Sequence, residues 1–303
     1  MKDSKTKHFL LKIYNRLFDL KTKIKDGIVK LKCGVPKIMS MDETMDYVLL
    51  HQCSVSRYGD GELKLAIGED ISFQKCTPDL QKRLCDVLQS QSEDCLICVP
   101  DYFSGAKWMK DDSREFMWRR AAEYRSRWSG LLDMSREYGN ASISRCYYDW
   151  KDKTNCERWF EKMKKIWDGR DIVFVEGEES RLGYHNDLFD NAKSIKRILC
   201  PKQNAFLCYP DIVNSVKRNV ATDKLVLIAL GPTATVLAYD LSQIGYQAVD
   251  LGHMDIEYEW YRMGASSKVA VKNKYTNEAD CNIGVEEFCD ETFCRQIIDR
   301  INC

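Results

Sequence analysis

Apolar residues near the start of the chain recur at helical spacing, with lysines between them. The repeat runs through residues 7–31 and comprises Phe9, Leu10, Ile13, Leu17, Leu20, Ile24, Ile28 and Leu31. This spacing predicts a basic amphipathic helix. We assign it to a segment of residues 1–35, separate from a domain of residues 36–303. Such a helix either packs on the domain or a partner, or contacts an anionic membrane surface through residues 7–31.

From Pro36 onward, short apolar runs alternate with segments of helical periodicity. The runs predict strands at residues 53–57, 95–99, 171–176, 194–200, 224–230 and 246–251. Helices are predicted at residues 40–51, 78–91, 204–219 and 233–244, across most of 108–138, and from a capping box at Thr154 to about Asp168. This alternation predicts an α/β fold with a mainly parallel sheet covered by helices on both faces. Ligands bind such sheets at the carboxyl ends of the strands.

Two carboxylates follow the first predicted strand of the domain. Asp60 and Glu62 lie in the segment Tyr58-Gly-Asp-Gly-Glu62, which we expect to form an extended turn. Residues two apart in an extended chain project to the same side, and the glycines let both carboxylates approach one ion. Such ligands suit Mg²⁺ or Mn²⁺, with substrate phosphates completing the shell. We place Arg57 and Gly59 in the same site; the alternative is a solvated turn.

The loop after the strand at residues 171–176 is rich in polar side chains. Arg181 is a candidate to pair with a phosphate, and Asn186 and Asp187 are candidates to read a base or a ribose. An ordinary solvated loop is the alternative interpretation.

A helix start follows the strand at residues 224–230, in the segment Gly231-Pro-Thr-Ala-Thr235. Free backbone N–H groups at a helix N-terminus bind phosphate, and the hydroxyl of Thr233 or Thr235 would add a donor. We therefore assign Gly231 and Thr233 to the ligand site. The segment is neither G-x-G-x-x-G nor a Walker loop, so it indicates neither a dinucleotide nor a P-loop ATPase. A plain helix start is the alternative.

Three titratable residues alternate after the last predicted strand. His253, Asp255 and Glu257 would all face one side of an extended chain. Asp255 and Glu257 are our candidates for a general base, and His253 is a candidate to contact a diphosphate or the metal. A structural histidine is the alternative for His253.

Four motifs together resemble one known family. They are Arg57-Tyr-Gly-Asp-Gly-Glu62, Glu176-Gly-Glu with Asn186-Asp-Leu-Phe, Leu230-Gly-Pro-Thr-Ala-Thr, and Gly252-His-Met-Asp-Ile-Glu-Tyr-Glu-Trp. In this order they are similar to the bacterial GT-D class glycosyltransferases, over about residues 40–278. The resemblance implies a Rossmann-like fold, a UDP-sugar donor, and Mn²⁺ or Mg²⁺ on Asp60 and Glu62. We expect the acceptor to be a glycan, a glycoprotein or a lipid-linked molecule.

The same residue types also suit other functions. A metal-dependent nucleotidyltransferase or a nucleotide-sugar hydrolase would use paired carboxylates and a phosphate cradle in the same way. A nucleotide-sugar binding subunit without activity is a third class. Hydrolysis of the donor without acceptor distinguishes them, because a hydrolase is fast, a transferase slow and a binding subunit inactive.

Charge and cysteine content indicate which partners and which cellular compartment to expect. Lys and Arg together number 46, as do Asp and Glu, so no basic excess argues for nucleic acid. Residues 1–33 nevertheless carry ten Lys or Arg against three Asp. The 14 cysteines come without an apolar signal segment, so we expect reduced thiols. This predicts a cytoplasmic protein, with peripheral contact at the inner membrane face if the helix binds lipid.

Overall fold

The computed structural model describes residues 17, 20–103, 105–276, 278–279 and 290–302. Nine strands of this part of the chain form one parallel sheet in the order β1-β4-β3-β2-β8-β7-β5-β6-β9. Their bounds are β1 Lys37–Ile38, β2 Ser54–Arg57, β3 Cys95–Val99, β4 Glu137–Asn140, β5 Asp171–Gly177, β6 Ser194–Cys200, β7 Leu225–Ala229, β8 Gln247–Asp250 and β9 Ile297–Arg300.

Helices cover both faces of the sheet, which confirms the predicted α/β architecture. They are α1 (residues 20–33), α2 Met41–His51, α3 Asp60–Ala66, α4 Pro78–Gln89, α5 Asp111–Ser129, α6 Cys156–Lys164, α7 Tyr209–Asn219, α8 Pro232–Ser242, α9 Met254–Met263 and α10 Glu291–Gln296. Short 3₁₀ turns lie at Asp101–Phe103, Ala141–Ser144 and Ala205–Cys208. The helices α2, α6 and α9 pack on one face. The helices α4, α5, α7 and α8 pack on the other.

Side chains of strand β3 pack in the hydrophobic cores on both faces of the sheet. Cys98 packs in the core on the α2 side, whereas Cys95 packs in the core on the α4 side. Both thiols are buried and free, so this C-x-x-C pair contributes to core packing. The prediction that the thiols are reduced is wrong for Cys208, which is disulfide-bonded.

Two segments that we predicted to be extended are helical. Asp60 and Glu62 lie in the first turn of α3, and Asp255 and Glu257 lie in the first turn of α9. Acidic side chains near a helix N-terminus interact favourably with the helix dipole, so the same alternation also marks a helix start. The two extended-chain predictions were therefore wrong.

Other differences concern short or edge elements. The stretch predicted as mostly helical contains α5 but also strand β4, and no strand had been predicted at the positions of β1 and β9. Helix α6 begins at Cys156 after Asn155, without a side-chain cap bond, so the predicted capping box at Thr154 is not formed. Strands of two to four residues carry too little periodicity to be recognised alone.

The two halves of the sheet meet where β2 pairs with β8. The chain passes from β2 to β3 and β4 on one side, and from β5 onward it builds the other side. A crevice opens at the carboxyl ends of strands where the strand order reverses in this way. Helix α8 is fixed here, because Ser56 donates to the Thr235 carbonyl at 2.8 Å and the Thr235 hydroxyl donates to the Arg57 carbonyl at 2.9 Å.

Helix α1 contacts the rest of the chain through a buried ion pair. Asp26 is buried and accepts a hydrogen bond from Arg125 Nε on α5, at 2.5 Å. No helix in the described ranges combines the length and the hydropathy of a membrane span. The predicted division at residues 35 and 36 stays a prediction.

Candidate active site

A cavity of about 490 Å³ lies at the carboxyl ends of β2, β5, β7 and β8. Seven residues predicted for the site line it, namely Arg57, Gly59, Asp60, Glu62, Gly231, His253 and Asp255. Five others predicted for the site lie outside its lining, namely Arg181, Asn186, Asp187, Thr233 and Glu257. Most of the residues that we predicted from their position after a strand therefore do meet at one cavity. That position alone does not decide which side chains reach the cavity.

The two predicted metal ligands occupy the first turn of α3. Residues two apart on a helix point in directions about 200° apart, so Asp60 and Glu62 do not project to one side as an extended turn would require. Glu62 accepts the Gly59 N–H at 2.7 Å and so caps the helix. Asp60 lies 3.9 Å from Arg120 Nε. Both carboxylates nevertheless border the same cavity.

A third carboxylate, which we did not predict, belongs to Asp250 at the end of β8. It is buried, lines the cavity and accepts the Gly252 N–H at 2.9 Å. Burial raises its pKa, and the Arg57 guanidinium opposes that rise. Burial also raises the pKa of Glu62 to about 7; the Gly59 N–H opposes this rise and the charge of Asp250 adds to it. In the sequence, Asp250 could have been recognised as a site residue from its position at a strand end, directly before the Leu251-Gly252 turn.

These carboxylates fit a metal ion that a ligand helps to hold. Among the residues that the structure describes, no group of three or more His, Cys, Asp or Glu side chains could hold a metal alone. Mg²⁺ and Mn²⁺ are commonly bound by one or two carboxylates together with substrate phosphates. Burial and the nearby charge of Asp250 disfavour the ionised form of Glu62, and a divalent cation would favour that form. The assignment of Asp60 and Glu62 as ligands stays a prediction.

Arg57 holds the backbone around the cavity. Its Nε donates to the Asp250 carbonyl at 3.1 Å, and its Nη1 donates to the Ala141 carbonyl at 2.9 Å. Gly252 passes directly beside it with a φ of +47°, and a Cβ there would lie 1.9 Å from Arg57 Nη2. Only glycine fits this contact, so Arg57 and Gly252 together shape the turn that carries His253.

The N-terminus of α8 faces the cavity through Gly231. This residue is the N-cap of the helix and has a φ of +53°. A Cβ at Gly231 would lie 3.1 Å from the Phe73 ring, which also lines the cavity. Thr233 is buried and does not line the cavity, so its predicted contact with a phosphate is not supported by its position. Pro232 has no N–H, and the Ala234 N–H donates to the Gly231 carbonyl at 2.9 Å. The helix start can therefore offer the backbone N–H groups of Gly231 and Thr233 rather than the Thr233 hydroxyl.

A cluster of charged residues forms another side of the cavity. The carboxylate of Glu278 contacts Arg145, lies 2.5 Å from Lys268 Nζ and lies 3.4 Å from His253 Nε2. Burial opposes ionisation of Glu278, yet the positive charges of Arg145, His253 and Lys268 hold its pKa far below the usual range. We did not predict Arg145 and Glu278 as site residues, because both lie outside the predicted strand ends.

Asp255 lines the cavity, but its oxygens already have partners. One oxygen accepts the Gly183 N–H at 2.9 Å and the Asn186 side-chain N–H at 2.8 Å. The other accepts from Lys274 Nζ at 2.7 Å, and Lys274 also reaches Glu259 at 3.0 Å. The predicted role of Asp255 as a base stays a prediction, and the geometry favours a structural role.

Glu257 points away from Asp255 on the same helix. Its Oε2 accepts the N–H groups of Tyr147 and Tyr148 at 2.9 and 2.7 Å. Its Oε1 lies 3.7 Å from Arg145 Nη1. Burial raises the pKa of Glu257 to about 7, and Arg145 opposes that rise. Glu257 therefore supports the segment that carries Arg145 and does not reach the cavity.

The remaining candidates lie behind the α9 side of the cavity. Arg181 donates to the Asn273 carbonyl at 3.0 Å. Asn186 donates to Asp255 and, at 2.7 Å, to Glu259. Asp187 accepts from the Tyr258 hydroxyl at 3.1 Å. These contacts explain the polar loop as support for α9, so the predicted direct contacts with phosphate, base or ribose have no geometric support.

Comparison with known proteins decides the family. The family model described as "Glycosyltransferase GT-D fold" matches residues 55–279, which include β2, β5, β7, β8 and the cavity between them. The chain belongs to the GT-D glycosyltransferases. The predicted family and fold are thereby confirmed.

Relatives of this GT-D chain include two streptococcal proteins. It is 38% identical over 292 residues to "Glycosyltransferase GlyD" of Streptococcus pneumoniae serotype 4 (strain ATCC BAA-334 / TIGR4), covering 94% of the chain and 35% of the relative. It is 41% identical over 264 residues to "Probable glycosyl transferase Gly" of Streptococcus gordonii, covering 86% of the chain and 38% of the relative. The GT-D chain thus spans little more than a third of the length of these relatives.

Solved structures show the same fold. One, described as "The highly conserved domain of unknown function 1792 has a distinct glycosyltransferase fold", superposes with a TM-score of 0.87 at 40% identity. It covers 91% of this chain and 100% of that one. Another, described as "A New Glycosyltransferase (DUF1792) from Streptococcus sanguinis", gives a TM-score of 0.84 at 38% identity, with 88% and 100% covered.

Proposed function

We propose that this GT-D chain transfers a sugar from a UDP-sugar donor to a glycan, glycoprotein or lipid-linked acceptor, with Mn²⁺ or Mg²⁺ as cofactor. The observation that carries the proposal is the cavity where β2, β7 and β8 end. It combines the Asp60 and Glu62 carboxylates with the N-terminus of α8 at Gly231. A diphosphate is the ligand that fits both features, because it binds a cation and helix N–H groups together.

The residues of the cavity explain how a donor would be oriented. A cation held by Asp60 and Glu62 would supply positive charge to stabilise the diphosphate of the leaving group. The N-terminus of α8 would receive a phosphate through its N–H groups. Arg57 keeps the turn at Asp250 and Gly252 in place, which fixes the position of the Asp250 carboxylate at the cavity.

The acceptor side of the reaction requires a proton acceptor if the anomeric configuration is inverted. We retain Asp255 as a candidate because it lines the cavity, and its use as a base would require release from Lys274. His253 also lines the cavity, beside Arg145 and Glu278. We propose that His253 contacts the diphosphate or the metal.

A nucleotide-sugar hydrolase or nucleotidyltransferase would use the same carboxylates. The family and the relatives named as glycosyltransferases favour transfer over both alternatives. A cytoplasmic location with contact at the inner membrane face is our expectation from composition and the basic helix.

A panel of nucleotide sugars, tested for Mn²⁺-dependent thermal stabilisation, examines the proposal directly. A ligand that binds the folded state raises the melting temperature, so the correct donor should stabilise the wild type only with Mn²⁺. Asp60→Asn and Glu62→Gln should fold and lose this stabilisation. Stabilisation that is independent of Mn²⁺, or that persists in both variants, would contradict the metal assignment. Rapid release of free sugar without acceptor would identify a hydrolase instead.

A further inference from the structure

Helix α1 presents its apolar stripe to solvent. The stripe consists of Leu20 (56% exposed), Ile24 (58%), Ile28 (49%) and Leu31 (89%). These residues are three or four apart, so they lie along one side of the helix. A helix that packs on its domain normally buries this side. Here the described residues leave it uncovered.

The opposite side of α1 holds the helix on the domain. Asp26 is two residues from both Ile24 and Ile28, which places it on the far side of a helix with about 100° per residue. It is buried, where it binds Arg125 and lies 2.9 Å from Lys30 Nζ. Lys23 lies over the Trp118 ring of α5. The outward direction of the stripe is therefore fixed by a buried ion pair.

The exposed charges of α1 are all positive. Residues 20–33 contain five lysines and one acidic residue, which is the buried Asp26. Lys21, Lys25 and Lys32 are exposed and lie along one edge of the stripe. Apolar side chains bordered by lysines are typical of helices that lie in the interface of an anionic bilayer.

We propose that the stripe of α1 and its lysines form a surface that docks the protein on an anionic phospholipid bilayer. The positive charge of α1 favours an anionic bilayer over a second copy of the chain as the partner of this surface. In a symmetric pair of copies, each stripe would bring the same lysines to the interface, whereas anionic headgroups carry the opposite charge. The buried Asp26 would hold the domain against the bilayer in one orientation. This proposal is independent of the donor and of the metal.

Flotation of the 303-residue chain with vesicles tests the surface. Vesicles of phosphatidylcholine with phosphatidylglycerol should carry the protein, and vesicles of phosphatidylcholine alone should carry much less. The double variant Ile24→Ser, Ile28→Ser should lose at least about tenfold in partition, because it removes two aliphatic side chains that insertion into the bilayer would bury. Each of Lys21→Ala and Lys25→Ala should lose about fivefold on the anionic vesicles.

A matched control uses exposed leucines elsewhere. Leu50 (78% exposed) and Leu207 (65%) lie outside α1, so Leu50→Ser, Leu207→Ser should float like the wild type. Failure of the wild type to float, or equal flotation of the Ile24 and Ile28 variant, would overturn the proposal. A lipid-free dimer in sedimentation that this variant abolishes would assign the stripe to a second copy instead. Donor binding, measured in parallel, should stay unchanged in every variant.

Discussion

Replacing Glu62 with glutamine should change how Mn²⁺ binding depends on pH. The pKa of Glu62 is about 7 because burial and the charge of Asp250 disfavour ionisation. A cation competes with the proton for this carboxylate, so wild-type affinity should fall at low pH. With such a pKa, about a tenth of Glu62 is ionised at pH 6 and about nine-tenths at pH 8. We therefore expect the wild type to bind Mn²⁺ roughly tenfold more weakly at pH 6 than at pH 8 because of this group alone.

The two ligand variants separate this effect from other titrations. Glutamine keeps an oxygen that can accept the Gly59 N–H, so Glu62→Gln should preserve the start of α3. It should bind Mn²⁺ weakly at every pH and lose the tenfold dependence. Asp60→Asn removes a ligand but keeps Glu62, so it should bind weakly and retain the dependence.

Calorimetric titration of Mn²⁺ into protein with UDP, from pH 6 to pH 8, measures both quantities. Protonation of the UDP phosphates affects all three proteins equally, so the difference between their slopes reports Glu62. Melting temperatures without metal serve as a folding control. Equal slopes in Glu62→Gln and Asp60→Asn would refute the reasoning, because the titrating ligand would then be another group.

Three further predictions concern the residues that support the cavity, and urea unfolding measures each of them. Gly252→Ala should cost about 2–4 kcal/mol, because its Cβ would lie 1.9 Å from Arg57 Nη2; Gly264→Ala, with φ +61° and open space, should cost about 1–2 kcal/mol. Equal losses would show that the contact with Arg57 is unimportant. Lys274→Met should cost about 3–5 kcal/mol, since two buried carboxylates lose their partner. The more exposed pair of Lys202 with Glu179 is the control, and Lys202→Met should cost less than about 1 kcal/mol. The pKa of Glu257 is raised from 4.5 to about 7, so its stabilising contribution is complete below about pH 4.5 and is lost as pH rises through 7. The wild type should therefore lose on the order of 3 kcal/mol more than Glu257→Gln between pH 5 and pH 8, and identical pH slopes would contradict this.

Local patterns were sufficient to predict the main elements of the fold. Ser40 and Glu43 form the capping box that starts α2, and Thr77 caps α4 with Pro78 at its first position. The continuous apolar run of β3 is buried along its whole length. Each of these signals acts within a few residues, so periodicity and capping chemistry suffice to recognise them.

Periodicity did not decide the local structure around the alternating acidic residues. Asp60 with Glu62, and Asp255 with Glu257, suit both an extended strand exit and the first turn of a helix. The structure chose the helix in both places, where the helix dipole favours the acidic side chains. The consequence is functional, because the two members of each pair point in different directions.

The sequence by itself determined that the chain alternates strands and helices, and that its polar motifs follow the strands. Only the tertiary structure decided which of those motifs meet. Strand order places β8 beside β2. Burial raises the pKa of Glu62, and this pairing brings Asp250 near enough for its charge to add to that rise. The tertiary structure also decided that the apolar stripe of α1 faces outward, since this orientation depends on the buried contact between Asp26 and Arg125. Such contacts join residues far apart in the chain, and local spacing carries no record of them.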